Sequence, residues 1–333
     1  MEKPNIKTLR KFVRPFEKAD DKRSTVQIIN TIVPLFILVV LSIVSYKYHW
    51  TISRVLSTIA SGFLVRTFII FHDCCHGSFF KKKKYNEVLG NITGFLTFFS
   101  YRKWRREHLI HHAGSGNIDK RGIGDIWVMT VDEYQVATKG ERLKYRMYRN
   151  PIVMFILGPI FLVLVSNRCN AKDSRQKERY NTWLNNIALV LVYGSLLYFM
   201  GVSMFFVVFG PIVFFAAMAG IWLFYIQHTF EDSYFEESSE WDFVKAAIEG
   251  SSYFKLPLLL QWITGNIGYH HVHHLSPKIP NYQLAKTHNN VTLLHNVTTI
   301  SFKKSFESLK YKLYDEQRKC FITFKTFKLR YGY

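Results

Sequence analysis

Apolar residues in this chain gather into blocks instead of recurring at one helical or strand period. Ile28 to Tyr46 runs 19 residues without a charge, roughly 28 Å as an α-helix and about the hydrocarbon thickness of a bilayer. Thr51 to Phe71 follows, with Arg54 and Arg66 near its two ends, where long cationic side chains can reach the interface. Leu184–Gly201 and Ser203–Gln227 make a second pair of blocks. Lys47–Trp50 joins the first pair and Val202 alone joins the second. Each pair reads as a helical hairpin with almost nothing on the far side of the membrane.

Two shorter apolar stretches, Val88–Tyr101 and Pro151–Ser166, have basic residues on both flanks. A span there would leave one basic cluster outside, against the excess of Lys and Arg in cytoplasmic loops. They read as helices lying in, or dipping into, the cytoplasmic interface. The expected fold is an all-α integral membrane protein of four transmembrane helices in two hairpins, with interfacial helices and a cytoplasmic histidine-box cap. A cytoplasmic N-terminal tail is expected over residues 1–27, the membrane domain over 28–274 and a cytoplasmic C-terminal segment over 275–333.

Charge sharpens this picture. The chain of 333 residues carries 44 Lys and Arg against 24 Asp and Glu. These cations sit beside the apolar blocks and form no single face or arm, which argues for membrane orientation and against nucleic acid. Cys74, Cys75, Cys169 and Cys320 lack a framework spacing and are expected reduced. The polar start up to Gln27 gives no reason to expect a cleavable signal peptide.

The chemistry lies in the histidines. Ten of the 13 fall in four places: His72 and His76; His108, His111 and His112; His228 at the end of the fourth block; and His270, His271, His273 and His274. Residues three or four apart share a helix face, so each box can aim two or three imidazoles at one volume. One zinc needs only three or four ligands, often with cysteine. Eight or nine imidazoles fit two metal ions with positions left for oxygen, and iron suits that chemistry. One H-x-x-x-H alone is a weak signal; three boxes, each abutting a hydrophobic segment on one side, are a strong one. His49, His288 and His295 read as ordinary surface or core histidines, and the Cys74–Cys75 pair as packing. His271 faces away from its neighbours on a helix, which gives it a supporting role. Asp73 can fix a ligand's tautomer or serve as a helix-end acid.

The stretches IFHDCCHGSFF, DKRGIGDIW, FYIQHTFEDSYF, EGSSYFKLP and GNIGYHHVHHLSPKIPNYQL resemble the membrane fatty acid desaturase family, in particular the Gram-positive bacterial acyl-lipid Δ5 desaturases. The likeness runs from about Val26 to His288. It implies a di-iron centre, O2, two electrons from outside and removal of two hydrogens from adjacent acyl carbons. The family's H-x-x-x-H, H-x-x-H-H and H-x-x-H-H pattern falls on His72/His76, His108/His111/His112 and His270/His273/His274, and a further ligand on His228. In the acyl-CoA branch an Asn stands one turn before that histidine; here Phe224 does, and Asn266 is the substitute candidate. Soluble di-iron desaturases use paired E-x-x-H motifs, which this chain lacks.

The implied substrates are membrane phospholipid acyl chains, desaturated at a centre on the cytoplasmic face. The electrons are expected from a ferredoxin or flavodoxin, since neither terminal segment has room for a fused donor domain and the chain carries no H-P-G-G motif. Lys120 and Arg121 beside Trp127 could hold an anionic headgroup or form a solvated loop. The seven acidic residues from Glu231 to Glu249 read as caps and solvation. A hydroxylase or ketolase on the same scaffold would share these boxes. A histidine-rich metal transporter would instead place ionisable groups at the bilayer midplane, whereas here they cluster at helix ends.

Overall fold

The computed structural model describes residues 6–332; residues 1–5 of the expected N-terminal tail, and Tyr333, lie outside the described residues. Four helices are long and apolar enough to cross a membrane: Asp21–Tyr46, Trp50–His76, Gln176–Met200 and Val202–His228. Each continues beyond its apolar block at the polar end, because helical hydrogen bonding persists wherever a cap and packing support it. Asp20 supplies such a cap, accepting from Lys22 N at 3.0 Å and Arg23 N at 3.2 Å. Only Gly201 separates the third and fourth spans, at φ 76°, a left-handed turn that a side chain would strain. On the same side, Tyr46 and Ser203 hydroxyls meet at 2.8 Å and tie the two hairpins together.

The second span packs against both the first and the fourth. It buries Ser53, Ser57, Ala60 and Ser61, small residues that let membrane helices approach closely. The third span buries only Glu178, Thr182 and Leu189 and otherwise presents its apolar surface outward.

The two shorter apolar stretches are helical, with altered bounds. Instead of Val88–Tyr101, one helix covers Lys83–Leu96 and a new one begins at Tyr101. Pro151–Ser166 becomes a π turn at Val153–Leu157, an α-helix at Gly158–Leu164 and a 3-10 turn at Ser166–Arg168. This segment bends 62° from helix Lys139–Tyr148, and the pair together has the composition of a broken span.

The helical reading holds, with two small sheets added. Strands β1 (Met129–Thr130), β4 (Leu313–Asp315) and β5 (Cys320–Ile322) form one sheet, β1 parallel and β5 antiparallel to β4. β2 (Tyr253–Lys255) pairs in parallel with β3 (Thr299–Ser301), placing Phe254 opposite Ile300. Both sheets join the C-terminal segment to the loops around the histidines. That segment also touches a span: the Phe306 and Trp222 rings lie 4.9 Å apart.

Candidate metal centre

Four elements bring the histidines to one end of the bundle. The second span ends in His72 and His76, helix Tyr101–Gly114 carries His108, His111 and His112, and the fourth span ends in His228. The short helix His270–Leu275 adds His270, His273 and His274. Ring nitrogens of His72, His76, His108, His112 and His273 lie within 4.8 Å of one another, and so do those of His111, His228 and His274. His270 Nε2 stands 2.9 Å from His228 Nε2 and 3.1 Å from His274 Nε2, beside the second group. The two groups abut, with the His112 and His274 rings stacked at 4.3 Å.

These imidazoles have the electronic form that metal binding requires. Burial, and then the crowding of neighbouring rings, holds His108, His112, His270, His273 and His274 well below the usual histidine range. They are therefore neutral and carry free lone pairs. His72 Nε2, His76 Nε2 and His111 Nε2 are buried without a hydrogen-bond partner. Leaving so many polar atoms unmatched in one place is costly unless a cation takes their lone pairs. A set of neutral imidazoles without thiolate fits a first-row metal such as iron. Cys74 and Cys75 pack with Ile70, Phe71 and Tyr101, as their spacing led one to expect.

Hydrogen bonds on the outer nitrogens aim the rings. A carboxylate can only accept, so His72 Nδ1 donates to Asp73 Oδ1 at 3.0 Å, and His111 Nδ1 donates to Asp125. His228 Nδ1 donates to Gly250 O at 3.2 Å. Each bond leaves Nε2 as the inward lone pair. Asp73 Oδ2 in turn accepts from Asn281 N at 2.6 Å and Asn281 Nδ2 at 2.8 Å. Asp125 and Asn281 were not singled out by sequence reasoning. Both lie in stretches that carry the family likeness, DKRGIGDIW and GNIGYHHVHHLSPKIPNYQL, but nothing in those stretches names their partners.

Asn266 sits at φ 60° and donates from Nδ2 to Asn281 O at 3.4 Å. That bond ties it to the residue that holds Asp73. Phe224 closes the second group with an apolar wall, its ring 5.1 Å from His111 and 5.3 Å from His228. Trp104 stacks on His108 at 4.2 Å and walls the first.

His271 is fully buried yet turned away, its Nε2 3.1 Å from His288 Nδ1. Burial and then His288 push it down to about 3. His288 is brought to about 4 by burial and then His295, whose ring lies 4.9 Å away. The three form a separate group. His49 caps the second span, its Nδ1 accepting from Thr51 N at 3.3 Å.

Arg121 is engaged internally, with Glu133 and with Val128 O at 3.1 Å, and Lys120 lies over the Trp241 ring. In the acidic run, Asp242 caps a helix and Glu231 accepts from Tyr311 Oη, which favours the capping role.

The fatty acid desaturase family model matches residues 48–295, most of the chain and all nine converging histidines. The chain belongs to the fatty acid desaturase family. This desaturase is 52% identical to the fatty acid desaturase of Bacillus subtilis (strain 168), over 97% of this chain and 92% of that one. It is 27% identical to the sn-1 oleoyl-lipid 12-desaturase of Synechocystis, over 68% of this chain and 65% of that one. It is also 27% identical to the sn-1 acyl-lipid omega-3 desaturase (ferredoxin) of Nostoc, over 74% and 68%. Desaturases are oxidoreductases, and the family, the apolar spans and the histidine clusters together make this an integral-membrane oxidoreductase acting on lipid acyl chains.

Proposed function

We propose that this desaturase introduces a cis double bond, at the Δ5 position, into acyl chains of membrane phospholipids at a di-iron centre on the cytoplasmic face. The observation that carries the reading is the division of nine histidines, seven of them buried, into two touching groups at the polar ends of the spans. His72, His76, His108, His112 and His273 would hold one iron; His111, His228, His270 and His274 would hold the other. When bound, the irons supply the activation of O2 that breaking unactivated C–H bonds demands and that no side-chain acid or base offers.

The protein's own part is binding and orientation. Asp73, Asp125 and the Gly250 carbonyl fix ring tautomers, so the ligands need no rearrangement when metal enters. Phe224 and Trp104 keep water from the clusters. Two C–H bonds of the chain break and a C=C bond forms. O2 takes four electrons, two from the acyl chain and two from outside, and with two added protons leaves as two waters.

The outside electrons come from a ferredoxin or flavodoxin; a ferredoxin appears in the name of the Nostoc relative, and a basic surface suits a small acidic carrier. The Δ5 position rests on likeness of motif to the Gram-positive acyl-lipid enzymes.

Mass spectrometry of phospholipids from cells expressing the protein tests the reaction and its position together. A cis Δ5 double bond is expected. A hydroxylated or keto chain would give the site to the sister chemistry. Purified protein should carry about two irons and little zinc, and a single zinc without iron would end the oxidative reading. Cysteine labels after Lys83, Lys120, Lys172 and Lys278 should all react from the cytoplasm. External labelling at Lys120 or Lys172 would make Lys83–Leu96 or the bent Lys139–Arg168 pair a true span.

A further inference from the structure

Seven of the nine histidines are sealed from solvent. His72, His108, His111, His112, His270, His273 and His274 are each less than 9% exposed. Only His76 and His228 are partly open. His228 borders a narrow space of about 30 Å³, room for roughly one water. His76 borders a wide opening of about 750 Å³. Its Nε2 points inward without a partner, while the ring forms part of the cavity wall. The lining comes from three places: the cap of the first span, the turn that ends the second, and the segment after the third histidine box. All lie where chain leaves the spans at the histidine-bearing end.

The exposed charges around this mouth are positive. Lys18, Lys81 and Lys278 line it, and all three are exposed. Lys22, Arg23, Lys82, Lys83 and Lys84 extend the exposed cations outward from the same cap and turn. Glu17 and Asp20 also line the opening, half-buried, and they and the neighbouring Asp21 are engaged in structure. Asp20 caps the first span and pairs with Arg23, Asp21 accepts from Lys81 N, and Glu17 accepts from Ser276 Oγ at 2.7 Å. Among the described residues, Lys18, Lys81 and Lys278 have no carboxylate partner.

We propose that this basic mouth is where an acidic one-electron carrier of the ferredoxin class docks and that electrons enter the centre through the His76 side. The inference rests on the external-donor reading above and names the place and the chemistry that recognises the partner. Two carriers dock in turn, each is oxidised by one electron, and together they supply the two electrons the reaction lacks. A membrane surface could attract the same lysines, but lipid attraction needs no concave opening with a proposed metal ligand on its wall. Complementary charge on a rim raises the association rate and weakens with salt.

The test uses the purified iron-loaded enzyme in neutral nanodiscs with a reduced acidic [2Fe–2S] ferredoxin. Lys18→Glu, Lys81→Glu and Lys278→Glu, singly and together, are compared with Lys139→Glu, Lys325→Glu and Lys328→Glu on other surfaces. The mouth variants should raise KM for ferredoxin about tenfold at low salt, with kcat little changed and the gap closing at high salt. Ferredoxin binding under anaerobic conditions, measured without turnover, should weaken in parallel while iron content stays at the wild-type level. Lys→Gln versions should fall between, which separates charge from misfolding.

Equal KM, binding and salt dependence in the two variant sets would overturn the proposal. So would weaker binding to anionic vesicles with ferredoxin binding intact, which would make the patch a lipid contact. If wild type desaturates with reduced methyl viologen but never with ferredoxin or flavodoxin, the docking fails while the desaturase reading stands. If it desaturates with neither, that reading fails first.

Discussion

Asn281 grips Asp73 through two donors at once, its backbone N–H at 2.6 Å and its side-chain Nδ2 at 2.8 Å, both on Oδ2. The other carboxylate oxygen accepts a hydrogen bond from His72 Nδ1. Asn281 Oδ1 accepts in turn from Gln27 Nε2 at 3.0 Å. One buried chain of hydrogen bonds therefore runs from a proposed metal ligand to the first span. Removing the side chain in Asn281→Ala deletes one donor and frees Asp73 to swing. Activity and iron affinity should fall about 10–100-fold, with the protein still inserted. Iron retention during chelator dialysis measures this; retention equal to wild type would show that Asp73 is held adequately by the backbone donor alone.

His228 and His271 separate ligand from bystander. His228→Ala should abolish desaturation and drop the iron content, as His273→Ala should. His271→Ala should keep measurable activity, because its Nε2 bonds to His288 outside both groups. Double-bond counts at matched membrane expression decide between them. An active His228→Ala beside a dead His271→Ala would reverse the assignment.

Gly124 sets the position of Asp125. Its φ is +73°, and a Cβ there would stand 2.9 Å from Glu107 O and 3.2 Å from His111 Cβ. Left-handed backbone alone costs a side chain about 1–2 kcal/mol. Asn tolerates that conformation but brings the same Cβ. Gly124→Ala and Gly124→Asn should both lose iron and activity, because each pushes Asp125 off His111. Survival of Gly124→Asn with wild-type iron would mean that backbone strain, and not the contact, is what matters.

Lys312 supplies a pH test away from the spans. It donates to Arg149 O at 2.7 Å, and burial, with Arg149 second, lowers it from 10.5 to about 8. Between these values the unfolded chain holds a proton that the folded chain has released, so stability rises with pH across the window and is lost as pH falls through about 8. The full shift corresponds to roughly 3 kcal/mol, which solvent screening at this partly open site reduces. The unfolding midpoint of wild type relative to Lys312→Met should therefore climb from about pH 8 to about pH 10. A flat difference would show that Lys312 titrates as an exposed lysine does.

The sequence by itself determined the four spans and the boxes, because both are local. An uncharged block of bilayer length must find lipid, and i, i+3 and i+4 spacing must share a helix face. It also placed His228 among the ligand candidates through family likeness. Span ends escaped it, since helices run on into polar residues such as Asp21 and Gln176 once a cap supports them.

What only the tertiary structure decided is which histidine serves which group. His111 and His112 are neighbours in sequence, yet one full residue step of about 100° sends them to different clusters. His273 and His274 divide in the same way. The same limit hid Asp125, Asn281 and the partner of His271, and it hid the pairing of β1 with β4 across the chain. Hydropathy and helical period describe a residue's own turn. Convergence is set by where four separate elements end, and that is fixed by packing between residues as far apart as Asp73 and Asn281.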